Sequence, residues 1–439
     1  MAIVDDAVEL VHADLWPNVA QAASFSYRQG NRGSAWPLPC SGADGHGTSV
    51  AGIIAARDDN AIGVAGVAPR ASIVAYNALA TSTDADIADA LTRDLAANGV
   101  YNNSWGSPDT GVLNAAEPSF VAAIQAGIAN GRGGKGAIYV FPGGNGGPSD
   151  NANFDGYVNK LGVIAVCAVD DTGRAPYYAE PGANLLVCAP SSNNRVVGGQ
   201  LVGITTTRIG NGYRSDFSGT SASTPTVAGV AALVLAANPQ LTWRDLRLIL
   251  AQTARQNDPN DPGWTSHFGY RFNHKYGFGV VDAAAAVALA PGWQSVGGSE
   301  NLKSCGPYTR SALNLALPDA TGPAASPVVT PVSDSQTIAG CDITAIEFVE
   351  IRFTATHAYS GDLRVRLSSP AGLQSVLAAE RGCLPANVQD PCRPYNDWQF
   401  GSNRHLGEAV NGTWTLEVTD MQPLDTGRFD RWSIRFHGR

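Results

Sequence analysis

The sequence predicts an α/β protein built on a parallel sheet, followed by an all-β C-terminal domain. Through the first 290 residues, short β-branched runs alternate with segments whose apolar positions recur at helical spacing. That alternation is the signature of βαβ units and of a sheet covered by helices on both faces. Beyond residue 300 the helical period gives way to period-two alternation broken by turn residues, which reads as an antiparallel sandwich.

Strands are expected at Met1–Val4, Ser72–Tyr76, Val100–Asn103, Ala137–Phe141 and Val163–Val169. Between them Val50–Ala56, Asp84–Ala97 and Pro118–Asn130 carry helical spacing. The apolar run Val227–Ala237 follows Ser218-Gly219-Thr220-Ser221 and reads as a buried helix with Pro225 in its first turn. Thr242 caps the next helix, with Asp245 at the capping-box position. An alanine-rich helix, Asp282–Ala290, closes the first domain at residues 1–290. Pro291-Gly292 and Gly297-Gly298-Ser299 mark a linker over 291–300. The second domain, 301–439, has alternating strands at Ile346–Phe353, Asp362–Leu367, Thr413–Val418 and Trp432–Phe436.

The 439 residues include 44% hydrophobic and 15% charged side chains, which excludes a disordered chain. A net charge of −9 argues against nucleic acid as the main partner and suits basic ligands. No run approaches the 18 apolar residues of a membrane span. Met1 stands directly before Ala2-Ile3-Val4-Asp5-Asp6, which reads as the middle of a domain, so a fragment, a processed form or a mis-set first residue is expected. The seven cysteines form no C-x-x-C pair, so a zinc ribbon is not expected. Cys305 with Cys341, and Cys383 with Cys392, are expected disulfides of an exported protein, although spacing alone does not fix the pairing; Cys40 is expected either as a free thiol near His46 or as a cysteine whose partner lies in a preceding segment.

Three residue types in one order carry the chemistry. Asp5 ends a strand, at the edge where parallel sheets place their sites. His46 lies in Asp44-Gly45-His46-Gly47-Thr48, and Ser221 stands at a helix N-terminus, where unpaired amides stabilise an oxyanion. A serine is a weak nucleophile until an imidazole takes its proton, and an aspartate fixes the tautomer of that imidazole. Asn145, in Gly143-Gly144-Asn145-Gly146-Gly147, adds a side-chain amide able to donate to the oxyanion. Taken singly, each is more often a cap, a surface histidine or a turn former.

Asp5-Asp6, His46-Gly47-Thr48, Gly144-Asn145-Gly146 and Gly219-Thr220-Ser221-Ala222 resemble, in order, the four signature segments of the subtilase serine proteases. Asn103-Ser104-Trp105-Gly106, Asp155-Gly156-Tyr157 and His274-Lys275-Tyr276-Gly277 look like the kexin/furin branch. The C-terminal third, with His357-Ala358-Tyr359-Ser360-Gly361-Asp362, Asp397-Trp398 and Gly412-Thr413-Trp414, resembles the P domain of that branch.

The resemblance implies a subtilisin-like, doubly wound parallel sheet and a jelly-roll C-terminal domain. It implies a calcium-dependent serine endopeptidase that cleaves after Arg or Lys through an acyl-enzyme. Asp155 would sit at the base of the primary pocket, with Ser104, Trp105 and Gly106 along the substrate. Asp6 and Asp44 would face the next side chain. Asp109, Asp150 and Glu180 would hold Ca2+ behind the pocket, and Asp14 with Asn60 would supply part of a second site. Ala43 stands where the family carries an acidic residue, which weakens the expectation of strict dibasic selection. Secreted or periplasmic placement, protein substrates with basic residues, and a propeptide, chaperone or inhibitor partner follow from the same likeness. The alternatives are a silent subtilase-like binding protein and a broad degradative protease.

Overall fold

Six short strands, β1 (Ala2–Val4), β2 (Val74–Tyr76), β3 (Val100–Asn103), β4 (Ile138–Pro142), β5 (Val163–Val169) and β6 (Leu185–Pro190), form one sheet in the order β2-β1-β3-β4-β5-β6. Every neighbouring pair is parallel. The computed structural model describes residues 1–197, 199–382, 392 and 394–439. The chain goes from β1 to β2 on one side and then to β3 on the other. The direction of winding therefore reverses between β1 and β3. Ligands of open α/β sheets bind at the carboxyl ends of strands at such a reversal, and Asp5 and Ser104 are the residues that leave those two ends.

The helices are α1 (His46–Ala55), α2 (Asp84–Thr92), α3 (Pro118–Asn130), α4 (Thr220–Ala237), α5 (Trp243–Thr253) and α6 (Ala283–Leu289). Alternation along β1 explains the two covered faces. Ile3 packs with Val50 and Ile54 of α1, whereas Ala2 and Val4 share a core with Ile87 and Leu91 of α2. Each such buried aliphatic side chain contributes roughly 1.5–3 kcal/mol.

Several elements differ from expectation. The helix expected to reach Ala97 stops at Thr92, because Arg93 is extended and Asp94 takes a positive φ of 55°. Strand β6 was not expected. It is paired along β5, where Cys167 and Cys188 stand in register and form a disulfide with Cα atoms 4.2 Å apart. Pro225 lies in the second turn of α4, not the first, since the helix already begins at Thr220. Buried packing offsets the hydrogen bond that Pro225 removes. At 18 residues with mean hydropathy 1.4, α4 is also long and apolar enough to cross a bilayer. Here it packs against β3 to β6 and α1 in the protein interior.

The capping box of α5 forms as expected, with the Asp245 amide donating to Thr242 Oγ1 at 3.2 Å and the Thr242 amide donating to Asp245 Oδ2 at 2.8 Å. The stretch read as a linker is tied down by the same aspartate: Trp293 Nε1, Ser295 Oγ and the Val296 amide all donate to the Asp245 carboxylate.

The C-terminal part comprises two antiparallel sheets. One orders Lys303–Arg310, Gly427–Gly438, Ile346–His357 and Tyr395–Ser402, with Leu315–Leu317 also paired to Gly427–Gly438. The other orders Val332–Ile338, Gly412–Asp420, Leu363–Ser368 and Gln374–Ala378. Phe353, Trp414, Trp432 and Ile434 fill the space between them. Cys305 and Cys341 are bonded as expected. The expected Cys383–Cys392 pair involves residue 383, which lies outside the described residues.

The two parts share a polar seam. Arg244 of α5 is fully buried and makes a two-pronged ion pair with Glu347, at 2.9 and 2.7 Å. Asn153 and Asn159 exchange hydrogen bonds with backbone and side chains at Gln399 and Gly401. Arg247 donates to Asn403, which in turn donates to the Asn184 carbonyl.

Candidate active site

Asp5 follows β1 and is buried, while His46 opens α1. His46 Nδ1 lies 2.9 Å from Asp5 Oδ1. Burial works against the protonated ring, but the charges of Asp5 and Asp6 outweigh it and hold the imidazole pKa above its ordinary value. Phe217 lies against the ring at 5.3 Å between centroids. Phe217 belongs to the hairpin Ile204–Arg208/Gly212–Phe217 that leads into α4, so the ring that flanks His46 and the serine of α4 come from one continuous segment.

Ser221 is the second residue of α4, whose N-cap is Gly219 at φ 81°. Its hydroxyl donates to the Ser104 carbonyl at 3.1 Å. The next residue, Trp105, donates from its indole to the carbonyl of Val4 at 3.0 Å. The loops after β1 and β3 are thereby stitched together, and Ser221 is tied to the second of them.

Asn145 stands on the loop after β4. Its Oδ1 accepts both the amide of Thr220, at 2.8 Å, and the Thr220 hydroxyl, at 2.9 Å. With the oxygen occupied, the amide nitrogen is the end left to donate.

Asp155, expected from the sequence as the pocket acid, directly follows the helical turn Ala152–Phe154. Its carboxylate accepts the Ser107 amide at 2.9 Å, the Tyr157 amide at 2.7 Å and the Ser107 hydroxyl at 3.2 Å. Burial raises its pKa, and these donors oppose the rise. A Cβ on Gly106 would lie 2.7 Å from Asp155 Oδ2, so only glycine leaves that carboxylate open from the Gly106 side. Trp105 packs edge-on to Phe141 and Tyr157.

Asp6 and Asp44 are engaged by the protein itself. Asp6 accepts the amides of Ala7, His46 and Gly47, at 2.6 to 3.0 Å, and so caps α1. Burial, and then the neighbouring Asp5, push its pKa up to about 6. Asp44 is paired with Arg28 at 2.9 Å and accepts the Cys40 amide at 3.0 Å, and the pairing holds its pKa below the usual range. Cys40 itself is an exposed free thiol.

Asp109, Asp150 and Glu180 converge on the glycine loop that carries Asn145. The Asn145 amide donates to Asp109 at 3.1 Å, the Gly146 amide to Glu180 at 2.8 Å, and the Gly111 amide to Asp150 at 2.7 Å. Burial pushes Asp150 up to about 6; burial and the charge of Asp150 push Glu180 well above the carboxylate range. A Cβ on Gly144 would fall 2.2 Å from Glu180 Oε1. Asp150 and Glu180 are buried carboxylates whose ionised forms are this disfavoured, and with the exposed Asp109 they offer the oxygen donors that a hard divalent cation takes. Asp14 and Asn60 also meet, but Asn60 Nδ2 donates to Asp14 Oδ1 at 2.6 Å, and the Val64 amide donates to Oδ2 at 2.9 Å.

Sequence reasoning missed Thr220, Ser107, Phe217 and Arg28. The first two adjoin motif residues and were legible in principle; Arg28 reaches Asp44 across a loop that no pattern announces.

The description "Subtilase family" matches residues 1–279, and "Proprotein convertase P-domain" matches residues 346–436. The chain is 31% identical over 451 residues to mouse proprotein convertase subtilisin/kexin type 7, covering 100% of this chain and 56% of that protein. It is 33% identical over 453 residues to the dibasic-processing endoprotease of Schizosaccharomyces pombe, covering 100% and 60%. The chain therefore spans little more than half the length of these relatives. Among solved structures, the serine protease of Aeromonas sobria in complex with a chaperone aligns at TM-score 0.88 and 25% identity, over 100% of this chain and 87% of that one.

Proposed function

Because the chain belongs to the subtilase family and carries a proprotein convertase P-domain, we propose that it is a calcium-dependent serine endopeptidase that cleaves exported protein substrates after Arg or Lys. The observation that carries this reading is the Asp5–His46 hydrogen bond at the start of α1, a helix that packs against α4, whose second residue is Ser221. Asp5 holds Nδ1, so Nε2 is the nitrogen that takes the serine proton. Ser221 Oγ turns from the Ser104 carbonyl to Nε2 and attacks the scissile carbonyl carbon. His46 then returns the proton to the leaving amine, and water repeats the sequence to free the enzyme. Asn145 Nδ2 and the α4 amides stabilise the oxyanion of each tetrahedral intermediate.

A guanidinium or ammonium group in the Asp155 pocket replaces solvent as the partner of a buried carboxylate. Selection at the next position toward the substrate N-terminus is weaker, since Arg28 already pairs with Asp44 and Asp6 is held by α1. Asp109, Asp150 and Glu180 hold the calcium, which neutralises the three charges and fixes the loops around the pocket. A second calcium at Asp14 and Asn60 requires the Asn60 amide to turn its oxygen inward. A chaperone partner fits the Aeromonas sobria complex, and export and a propeptide belong to the same proposal.

A serine-directed fluorophosphonate tests the reading. Labelling abolished in Ser221→Ala, together with faster hydrolysis of an Arg peptide than of its neutral counterpart, supports it. No labelling of folded, calcium-loaded protein leaves a silent binding protein instead, and equal rates for the two peptides leave a broad degradative protease.

A further inference from the structure

We propose that Arg381, from the C-terminal half, is a positioning residue for the acidic pocket and for the carboxylate set behind it, a role that rests on the pocket and calcium assignments above. Arg381 follows the strand Gln374–Ala378, and its amide is held by the Gly361 carbonyl at 2.8 Å. Its side chain is only 7% exposed and enters the N-terminal half. Nε donates to the Gly111 carbonyl at 2.6 Å, Nη1 donates to the Tyr395 hydroxyl at 3.0 Å, and the guanidinium lies 3.9 Å over the Phe154 ring.

Both N-terminal partners adjoin the site. The Gly111 amide donates to Asp150, and Phe154 directly precedes Asp155 while its carbonyl accepts the Asn114 amide at 2.9 Å. The loop from Ser107 to Asn114 is thus pinned at Asp155, at Asp150 and at Phe154, with Asp109 between the first two pins. Arg381 touches Gly111 and Phe154 at once, so one side chain of the C-terminal half fixes the spacing between the pocket acid and the carboxylate set.

A positioning role and a charge-balancing role differ in sign. Arg381 is a cation close enough to Asp150 to favour its ionised form. If charge alone mattered, removing it would leave a more negative site and tighten calcium binding. If it sets the loop, removing it frees Gly111 and Asp109 and weakens calcium binding.

The test uses the full chain in a Ser221→Ala background, which cannot digest itself, with Arg381→Leu, Arg381→Lys and Tyr395→Phe compared by hydrogen exchange and by calcium titration calorimetry. Arg381→Leu should speed exchange across residues 106–114 and raise the calcium Kd about tenfold, as losing a group that supports metal ligands typically does. Arg381→Lys should recover part of both, and Tyr395→Phe should move both in the same direction by less. In the catalytically intact protein, Arg381→Leu should raise KM for an Arg peptide more than it lowers kcat. Unchanged exchange at 106–114 in folded Arg381→Leu, or tighter calcium binding, overturns the proposal. Should Arg381→Leu not fold, Arg381→Lys and Tyr395→Phe decide the same two readouts. If the Ser221→Ala protein binds no calcium, the calcium assignment falls while exchange at 106–114 still judges Arg381. Equal hydrolysis of Arg and neutral peptides likewise rejects the pocket alone.

Discussion

Thr220 grips the side-chain oxygen of Asn145 from two directions, with its amide at 2.8 Å and its hydroxyl at 2.9 Å. The residue before Ser221 therefore fixes which way the Asn145 side-chain amide nitrogen faces. Asn145→Ala should lower kcat roughly 10²- to 10³-fold with KM nearly unchanged, because the donor acts on charge that exists only in the transition state. Thr220→Val keeps the amide grip and should lower kcat by less. Steady-state kinetics on one Arg peptide compares the two, and a Thr220→Val loss equal to that of Asn145→Ala would place the critical contact in the hydroxyl.

The acid limb of activity should lie above pH 6.5. His46 must be neutral to accept a proton, so kcat/KM rises with pH through the His46 pKa. Burial opposes the charged ring, but Asp5 and Asp6 raise that pKa above 6.5. Asp5→Asn removes the nearest charge, which should shift the limb to lower pH while kcat drops about 10⁴-fold for want of the right tautomer. A pH profile of kcat/KM for both proteins reads the direction.

Asp155→Asn should cost about 3 kcal/mol of transition-state binding for an Arg peptide, roughly a hundredfold in kcat/KM. The same change should barely alter kcat/KM for a neutral peptide. The ratio of the two rates is the measurement, and a ratio unmoved by the substitution rejects Asp155 as the pocket acid.

Calcium at a hundred times its Kd should stabilise the protein by about 2.7 kcal/mol. Chelation with EDTA should lower the thermal midpoint, and added calcium should restore it. In Asp150→Asn/Glu180→Gln the midpoint should respond little to either addition, because the like charges that calcium relieves have been removed.

Glu347→Gln should destabilise the protein by about 3–5 kcal/mol, since it leaves the buried Arg244 guanidinium without a countercharge. Urea unfolding at fixed calcium measures this. The paired replacement Arg244→Met/Glu347→Leu should recover most of the loss.

Local chemistry explains what was legible in the sequence. The strand starts and the α5 cap depend on near neighbours: β-branched runs for β1 to β5, and Thr242 with Asp245 for the capping box. His46, Ser221 and Asn145 could be singled out because each sits in a short segment containing glycine, and Asp5 because it ends a strand. What escaped depends on distant pairing. Strand β6 directly follows the Ala183-Asn184 turn and has no polar alternation, its first five residues all being buried. The Cys167–Cys188 bond needs the β5–β6 register, which spacing in the chain does not reveal. The Asp44–Arg28 pair changes what Asp44 can offer a substrate, and only the folded loop brings the two together.

Arg244 and Arg247 send two guanidinium groups out of α5 toward residues that come later in the chain. Anyone wishing to trim this protease to its parallel sheet would take away Glu347 and Asn403 and leave the two guanidiniums with backbone carbonyls alone, at Val296 to Gly298 and at Val163. Water would solvate those arginines; a minimal version would have to be resurfaced at Phe154 and Ala183, which pack into the core of the C-terminal part and would be left bare.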